Sequence, residues 1–307
     1  MVQQNKLMKN LTDEYLKEFL EVDQATLNRF KEIQQKTIEE AKKSVKKKNK
    51  MVAIGISGSA RDQADMAAEN SNSEFLLKKA LESLEKEGVK TELISLRKFN
   101  IRYCKACYST TNTQCHCPCS CYPKGTEMAD DMSNILYDKV MEADIILFAT
   151  PVNNFKMSSL MALFIDRCIS LDGSLLPADP KATKNKELNI KHAKFIELMA
   201  DDKIPGSGYL RRFSGKVGGI IVTGHEAGAA MVISSLQMTL GHFGMIFTPW
   251  SNMYAMSSIT NLTYKDKAIV TNNPYVDEAQ KLAKNSLMMA KELQEKPINW
   301  IYDNSTN

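Results

Sequence analysis

What most constrains this chain is the alternation, from residue 51 onward, of short apolar runs with segments of helical periodicity. The run Met51-Val-Ala-Ile-Gly-Ile-Ser57 carries no charge and is rich in branched side chains, the pattern of a strand buried on both faces. Similar runs predict strands over 90–96, 144–150, 216–222 and 245–248. Between and after them, helices are predicted over 73–86, 128–141, 158–168, 228–242 and 276–295. Five strands, each followed by a helix, specify an α/β fold built on a parallel sheet. A polar insert over 171–214 carries no motif.

Residues 1–50 read differently from the rest. Leu11, Tyr15, Phe19, Leu27, Phe30, Ile33 and Ile38 recur at mostly helical intervals among many charges, without Gly or Pro, as in an amphipathic helix or helix pair. The sequence therefore divides into a helical extension, 1–50, and a domain over 51–307, with the apolar stripe of the extension packing on the body or on a twin subunit. This extension holds 12 Lys+Arg against 8 Asp+Glu and so carries the whole net charge of +4, while the remainder is balanced at 28 of each sign. Such a balance is too weak to imply a nucleic-acid partner, and the basic stretch 42–50 is read as a solvated helix end. No run reaches the roughly 18 apolar residues of a membrane span, and the polar start lacks a secretory pattern. The expectation is a soluble, cytoplasmic protein that binds neither nucleic acid nor membrane.

In parallel sheets, ligands sit beyond the carboxyl ends of the strands, so the loops there matter most. The first runs Ser57-Gly58-Ser59-Ala60-Arg61 and reaches Asn70-Ser71-Asn72-Ser73 at a helix start. Hydroxyls, a guanidinium and the unpaired N–H groups of a helix N-terminus suit a phosphate, although Ser73 serves equally as a helix cap. The second, Thr150-Pro151-Val152-Asn153-Asn154-Phe155, and the third, Thr223-Gly224-His225-Glu226-Ala227-Gly228, leave two further strands. No Gly-x-Gly-x-x-Gly and no Walker lysine is present.

On these residues the chain resembles the NADPH-dependent FMN reductase family, and within it the iron-sulfur flavoprotein branch. The resemblance spans about 51–247. It rests on Gly58-Ser59-Ala60-Arg61, Ser71-Asn72-Ser73, Asp130-Asp131, Ala143-Asp144, Thr150-Pro151-Val152, Asp166-Arg167, Gly215-Lys216 and Thr223-Gly224. It implies a flavodoxin-like three-layer sandwich with a five-stranded parallel sheet and bound FMN. By the same resemblance Ser59, Arg61, Ser71, Asn72 and Ser73 hold the FMN phosphate. Pro151, Val152, Asn153 and Asn154, with Thr223, Gly224 and His225, border the isoalloxazine ring. Family members often carry an aromatic residue where Asn153 stands here.

Six of the seven cysteines, Cys104, Cys107, Cys115, Cys117, Cys119 and Cys121, crowd the connection after the second strand. Without an export signal such density points to a metal, a cluster or redox chemistry rather than to disulfides. The set suits an iron-sulfur cluster, a tetrahedral zinc or redox-active thiols, and six exceed what one four-coordinate centre takes. The resemblance implies a 4Fe-4S cluster, with Cys104 and Cys107 as its firmest ligands, yet after Cys107 the next cysteine lies eight positions on, farther than in that branch. His116 is read as a solvated neighbour and Cys168 as a core residue. Asp130 and Asp131 are expected to support a helix N-terminus, and Asp166 and Arg167 to pair beneath the second loop. Most methionines fill the core, with Met157, Met161 and Met256 as candidates for an apolar acceptor pocket.

The resemblance implies an oxidoreductase that passes electrons from NAD(P)H through FMN to an unidentified acceptor. The cysteine insert supports an alternative, an electron carrier exchanging electrons with ferredoxin. A third reading is a zinc-clipped binding protein. The resemblance also implies a homo-oligomer with FMN near the subunit contact.

Overall fold

The computed structural model describes residues 11–44, 50–66, 68–110, 114–224, 228–256, 270 and 272–298. Its sheet grows from the apolar runs: β1 (Val52–Ser57), β2 (Lys90–Ser95), β3 (Ile145–Asn153), β5 (Val217–Gly224) and β6 (Ile246–Met256) are parallel, in the order β2-β1-β3-β5-β6. A two-residue strand, β4 (Lys156–Met157), folds back antiparallel on β3. This is the order of a flavodoxin-like sheet, in which the connection reverses between β1 and β3.

Because strand side chains alternate, each strand feeds two cores. Val52, Ile54, Ile56, Ile146, Phe148, Ile220 and Val222 point to one face, where the helix α4 (Tyr137–Glu142), α5 (Ser159–Cys168) and α7 (Ala229–His242) cover them. Ala53, Ile145, Leu147, Ala149, Val217 and Ile221 point to the other, under α3 (Asn72–Lys86) and α8 (Asn273–Glu295). The result is the three-layer sandwich.

The N-terminal residues form α1 (Asp13–Leu20) and α2 (Gln24–Ser44). They pack on a helix inside the polar insert, α6 (Lys186–Met199), capped by the Asn185 side chain. Leu16, Leu20, Leu27 and Phe30 are the buried residues of this contact, while Tyr15 and Phe19 are about half exposed and stack on each other. The stripe read from the sequence is thus shifted by one position in α1, because Leu16 and Leu20 also repeat every four residues. Arg212 forks onto the Glu40 carboxylate at 2.7 and 2.9 Å and ties α2 to the insert.

Three elements depart from the sequence reading. Residues 128–130 are not helical; a π-helical turn (Met132–Leu136) leads into α4, and the Asp130 and Asp131 carboxylates accept from the backbone N–H groups of Arg102 and Asn100 at its start. The insert contains α6. β6 continues to Met256 past Pro249 and Trp250, where the register with β5 slips between Gly218 and Ile220 and Trp250 takes φ 60°. Among the described residues no helix is long and apolar enough to cross a membrane.

Candidate functional site

At the carboxyl end of the sheet the first two loops are joined through one serine. The Gly58 N–H donates to the Ala149 carbonyl at 2.8 Å, and the Ser158 hydroxyl donates to the Gly58 carbonyl at 2.5 Å. Ser158 also caps α5 by accepting from the Met161 N–H, and its own N–H donates to Thr150 Oγ1, both at 3.2 Å. Gly58 is pressed so closely that a Cβ there would lie 2.7 Å from Met161 Cβ. The third loop closes on the second: Thr223 pairs with Pro151, and a Cβ on Gly224 would stand 3.1 Å from Val152 Cβ.

Within this crevice Ser59, Ser71 and Ser73 are buried. Ser71 caps α3, its Oγ accepting from the Glu74 N–H at 3.2 Å and lying 3.0 Å from Ser73 Oγ. Ser59 Oγ accepts from the Arg61 N–H at 3.2 Å, which leaves its own proton to donate elsewhere. Asn72 is half-buried, whereas Asn153 and Asn154 are exposed. The Arg61 guanidinium is exposed and sits 3.6 Å from Asp65. Glu74 would place an opposing charge at this helix start, but Arg97 forks onto its carboxylate and Ser95 donates to it. Burial raises the Glu74 pKa, and these donors outweigh it and hold the carboxyl at about 2. The α3 N-terminus, its charge neutralised, presents buried hydroxyls and free N–H groups, a donor set suited to a phosphate. His225 lies outside the described residues.

The β3–β4 hairpin turns on Asn154 and Phe155, both at positive φ, 49° and 65°. Two left-handed central residues define the turn that matches strand twist. Asn suits its position, but a bulky residue at positive φ is strained. Phe155 stands exposed at the tip, two positions beyond Asn153.

The cysteine insert makes a second site. Leu175, from the chain beyond α5, brackets it: the Cys117 N–H donates to the Leu175 carbonyl at 2.9 Å and the Leu175 N–H to the Cys115 carbonyl at 3.0 Å. Cys104, Cys107, Cys115, Cys119 and Cys121 line one pocket together with Tyr108, Tyr122, Tyr137 and Arg167. Cys117 is buried but does not line it. The Cys121 thiol donates to Cys107 Sγ at 3.4 Å, which lowers the Cys107 pKa and raises that of Cys121. Burial pushes Cys115 and Cys117 up. Among the described residues no three His, Cys, Asp or Glu side chains converge as ligands on a single ion; the thiols surround a space instead.

His116 is buried, not solvated: its Nδ1 lies 2.6 Å from Ser120 Oγ, its carbonyl accepts from Ser170 at 2.5 Å, and burial lowers its pKa to about 4. Arg167, paired in the sequence reading with Asp166, instead bonds to Asp130 and to the Arg102 carbonyl. Adjacent helix positions point apart, so Asp166 is exposed and only Arg167 turns inward. Asp130 also accepts from the Ser133 N–H at the helix start. The sequence reading missed Arg167, Tyr122 and Tyr137 as walls of the pocket; the signal was an arginine within the apolar stretch of α5. Met161 is fully buried against Gly58 and belongs to the core, as does Cys168.

The family model of the NADPH-dependent FMN reductases matches residues 51–258, which covers both sites. The chain belongs to this family. An iron-sulfur flavoprotein of Archaeoglobus fulgidus is 33% identical over 119 residues, 38% of this chain and 51% of that one. Another, from Methanocaldococcus jannaschii, is 32% identical over 117 residues, again 38% and 51%. The chain thus spans about half the length of these curated relatives. Among solved structures, RosB with bound 8-demethyl-8-formylriboflavin-5'-phosphate superposes with a TM-score of 0.55 at 21% identity, covering 81% of this chain and 82% of RosB. That likeness carries the fold.

Proposed function

We propose that this member of the NADPH-dependent FMN reductase family binds FMN in the crevice and works as an oxidoreductase, taking electrons from NAD(P)H and delivering them to an acceptor. The observation that carries the reading is the strand-end crevice in which Ser59 is buried, together with the α3 N-terminus, where Ser71 and Ser73 are buried with their hydroxyls 3.0 Å apart. Bound FMN supplies the hydride and electron chemistry, so the protein needs placement and electrostatics rather than a nucleophile. In this reading the three hydroxyls, Asn72 and the α3 N–H groups hold the phosphate. Arg61 swings onto it from Asp65, and Pro151 to Asn154 with Thr223 to His225 border the ring.

A second reading is favoured by the five thiols around one pocket. Iron-sulfur centres take all-thiolate ligands, and five thiols on one pocket supply more than the four such a centre needs. Cys104, Cys107, Cys115, Cys119 and Cys121 are then the candidate ligands, and the protein serves as a two-centre electron carrier with a partner such as ferredoxin. Free thiols suit a reducing, cytoplasmic compartment. The chain acts as a homo-oligomer.

Purification without oxygen, followed by the visible spectrum, iron, zinc and acid-labile sulfide, tests both readings. Flavin bands with NAD(P)H turnover and no iron support the first reading alone; flavin with iron and sulfide supports the two-centre carrier. Absence of flavin after adding FMN overturns both.

A further inference from the structure

The wall of the cysteine pocket is electrically one-sided. Among the described residues its lining holds five thiols, three tyrosines and two charged side chains, Lys105 and Arg167, and no carboxylate. The two cations are not equivalent. Arg167 is fully buried and matched by Asp130, so that pair is neutral as a unit. Lys105 is exposed and has no carboxylate partner among the described residues; its ammonium stands 5.4 Å from the centre of the Tyr122 ring instead. The face of an aromatic ring attracts a cation, so Tyr122, itself buried on the pocket wall, draws the ammonium to the edge of the pocket. The backbone assists. Lys105 falls between Cys104 and Cys107, where Ala106 takes φ 45° and its N–H donates to Cys104 Sγ at 3.4 Å.

We propose that Lys105 sets the electron affinity of the centre held by these thiols, its uncompensated positive charge raising the reduction potential. The proposal rests on the iron-sulfur reading above and adds the residue that tunes it. Thiolate ligands leave such a centre negatively charged, and every electron it accepts makes it more so. A cation close by therefore stabilises the reduced state more than the oxidised one, and net charge is among the terms that set these potentials. The Ala106 N–H acts in the same direction, because a donor to a ligating sulfur withdraws charge from it. Exposure gives Lys105 a signature of its own. Its field is open to screening by salt, whereas the buried Arg167 and Asp130 offset each other. A lysine that served packing alone would leave the potential where it is.

Titration of the anaerobically purified full chain with dithionite, followed by electron paramagnetic resonance, tests this on the native protein and on Lys105→Arg, Lys105→Gln and Lys105→Glu. The midpoint of the iron signal is expected to hold in Lys105→Arg, to fall in Lys105→Gln and to fall further in Lys105→Glu. The gap between the native protein and Lys105→Gln narrows as salt is raised. Iron lost from the Gln and Glu variants but kept by Lys105→Arg supports the same role for the charge. A native midpoint in Lys105→Gln at low salt, or a fall in Lys105→Arg as large as in Lys105→Gln, overturns the proposal. So does iron lost from Lys105→Arg and Lys105→Gln alike. A native chain that takes up flavin but no iron is a separate failure: it removes the iron-sulfur reading, and the proposal with it.

Discussion

Arg167 packs its guanidinium carbon 4.4 Å from the centre of the Tyr122 ring and bonds to Asp130, with both charged side chains almost wholly withdrawn from water. Desolvating such a pair offsets much of its attraction, but removing one partner strands the other, typically at about 3–5 kcal/mol. Arg167→Met is therefore expected to lower the unfolding free energy by about that amount in urea titrations, and Asp130→Asn added to it to recover part of the loss. Arg167 also walls the cysteine pocket, so the substitution couples stability to whatever the thiols hold. Cys117 provides the contrast. It is buried beside the pocket rather than on it, so on the two-centre reading proposed above Cys117→Ser should leave the iron content of the anaerobic protein unchanged, whereas Cys104→Ser and Cys107→Ser should abolish it. The sequence favoured Cys104 and Cys107 and left the other four of its six clustered thiols unranked. Which of them face inward depends on Leu175, a residue outside the insert whose backbone sets the rotation of 115–117, and no spacing rule reports that.

At the level of elements, the junction of β1, β3 and α5 is the most tightly specified part of the crevice. Gly58→Ala sets a methyl group 2.7 Å from Met161 Cβ and 2.9 Å from Ser158 Oγ, and neither atom is the far end of a flexible chain. Overpacking of this kind costs about 1–3 kcal/mol. The expected outcome is a lower denaturation midpoint together with faster loss of flavin on gel filtration, since the shift opens the loop that carries Ser59. The strands that make this junction were legible because β1, β3 and β5 are buried on both faces and read as apolar runs. β6 beyond Thr248 was not, because Pro249 and the positive φ of Trp250 interrupt the run while the sheet simply bulges around them. α6 was hidden by its polar outer face; Ala193, Phe195 and Ile196 are buried on its inner one, with Leu188, Leu198 and Met199 packed at the edge.

Across the whole molecule, the N-terminal arm is fastened to the insert over His192, whose two ring nitrogens are buried without a hydrogen-bond partner beside Phe30. Burial lowers its pKa to about 3 from an ordinary 6.5. The unfolded chain therefore takes up a proton as pH falls below 6.5 while the folded chain does not, so stability is lost from about pH 6.5 down to about 3. Glu74 adds a separate loss, from 4.5 down to about 2. His192→Phe is expected to flatten the decline of the urea midpoint between pH 6.5 and 4.5, with a contribution from the buried His116 remaining. The two candidate sites share one further part, α5. Its first turn is held by Ser158 in the candidate FMN crevice and its last presents Arg167 to the cysteine pocket. Ten residues at about 1.5 Å each make a rod about 15 Å long, and a rod of that kind sets a fixed gauge between the two sites. Adding one residue within it would advance the far end by about 1.5 Å and swing it through about 100°, so this helix tolerates exchange of its outward side chains but not a change in its length.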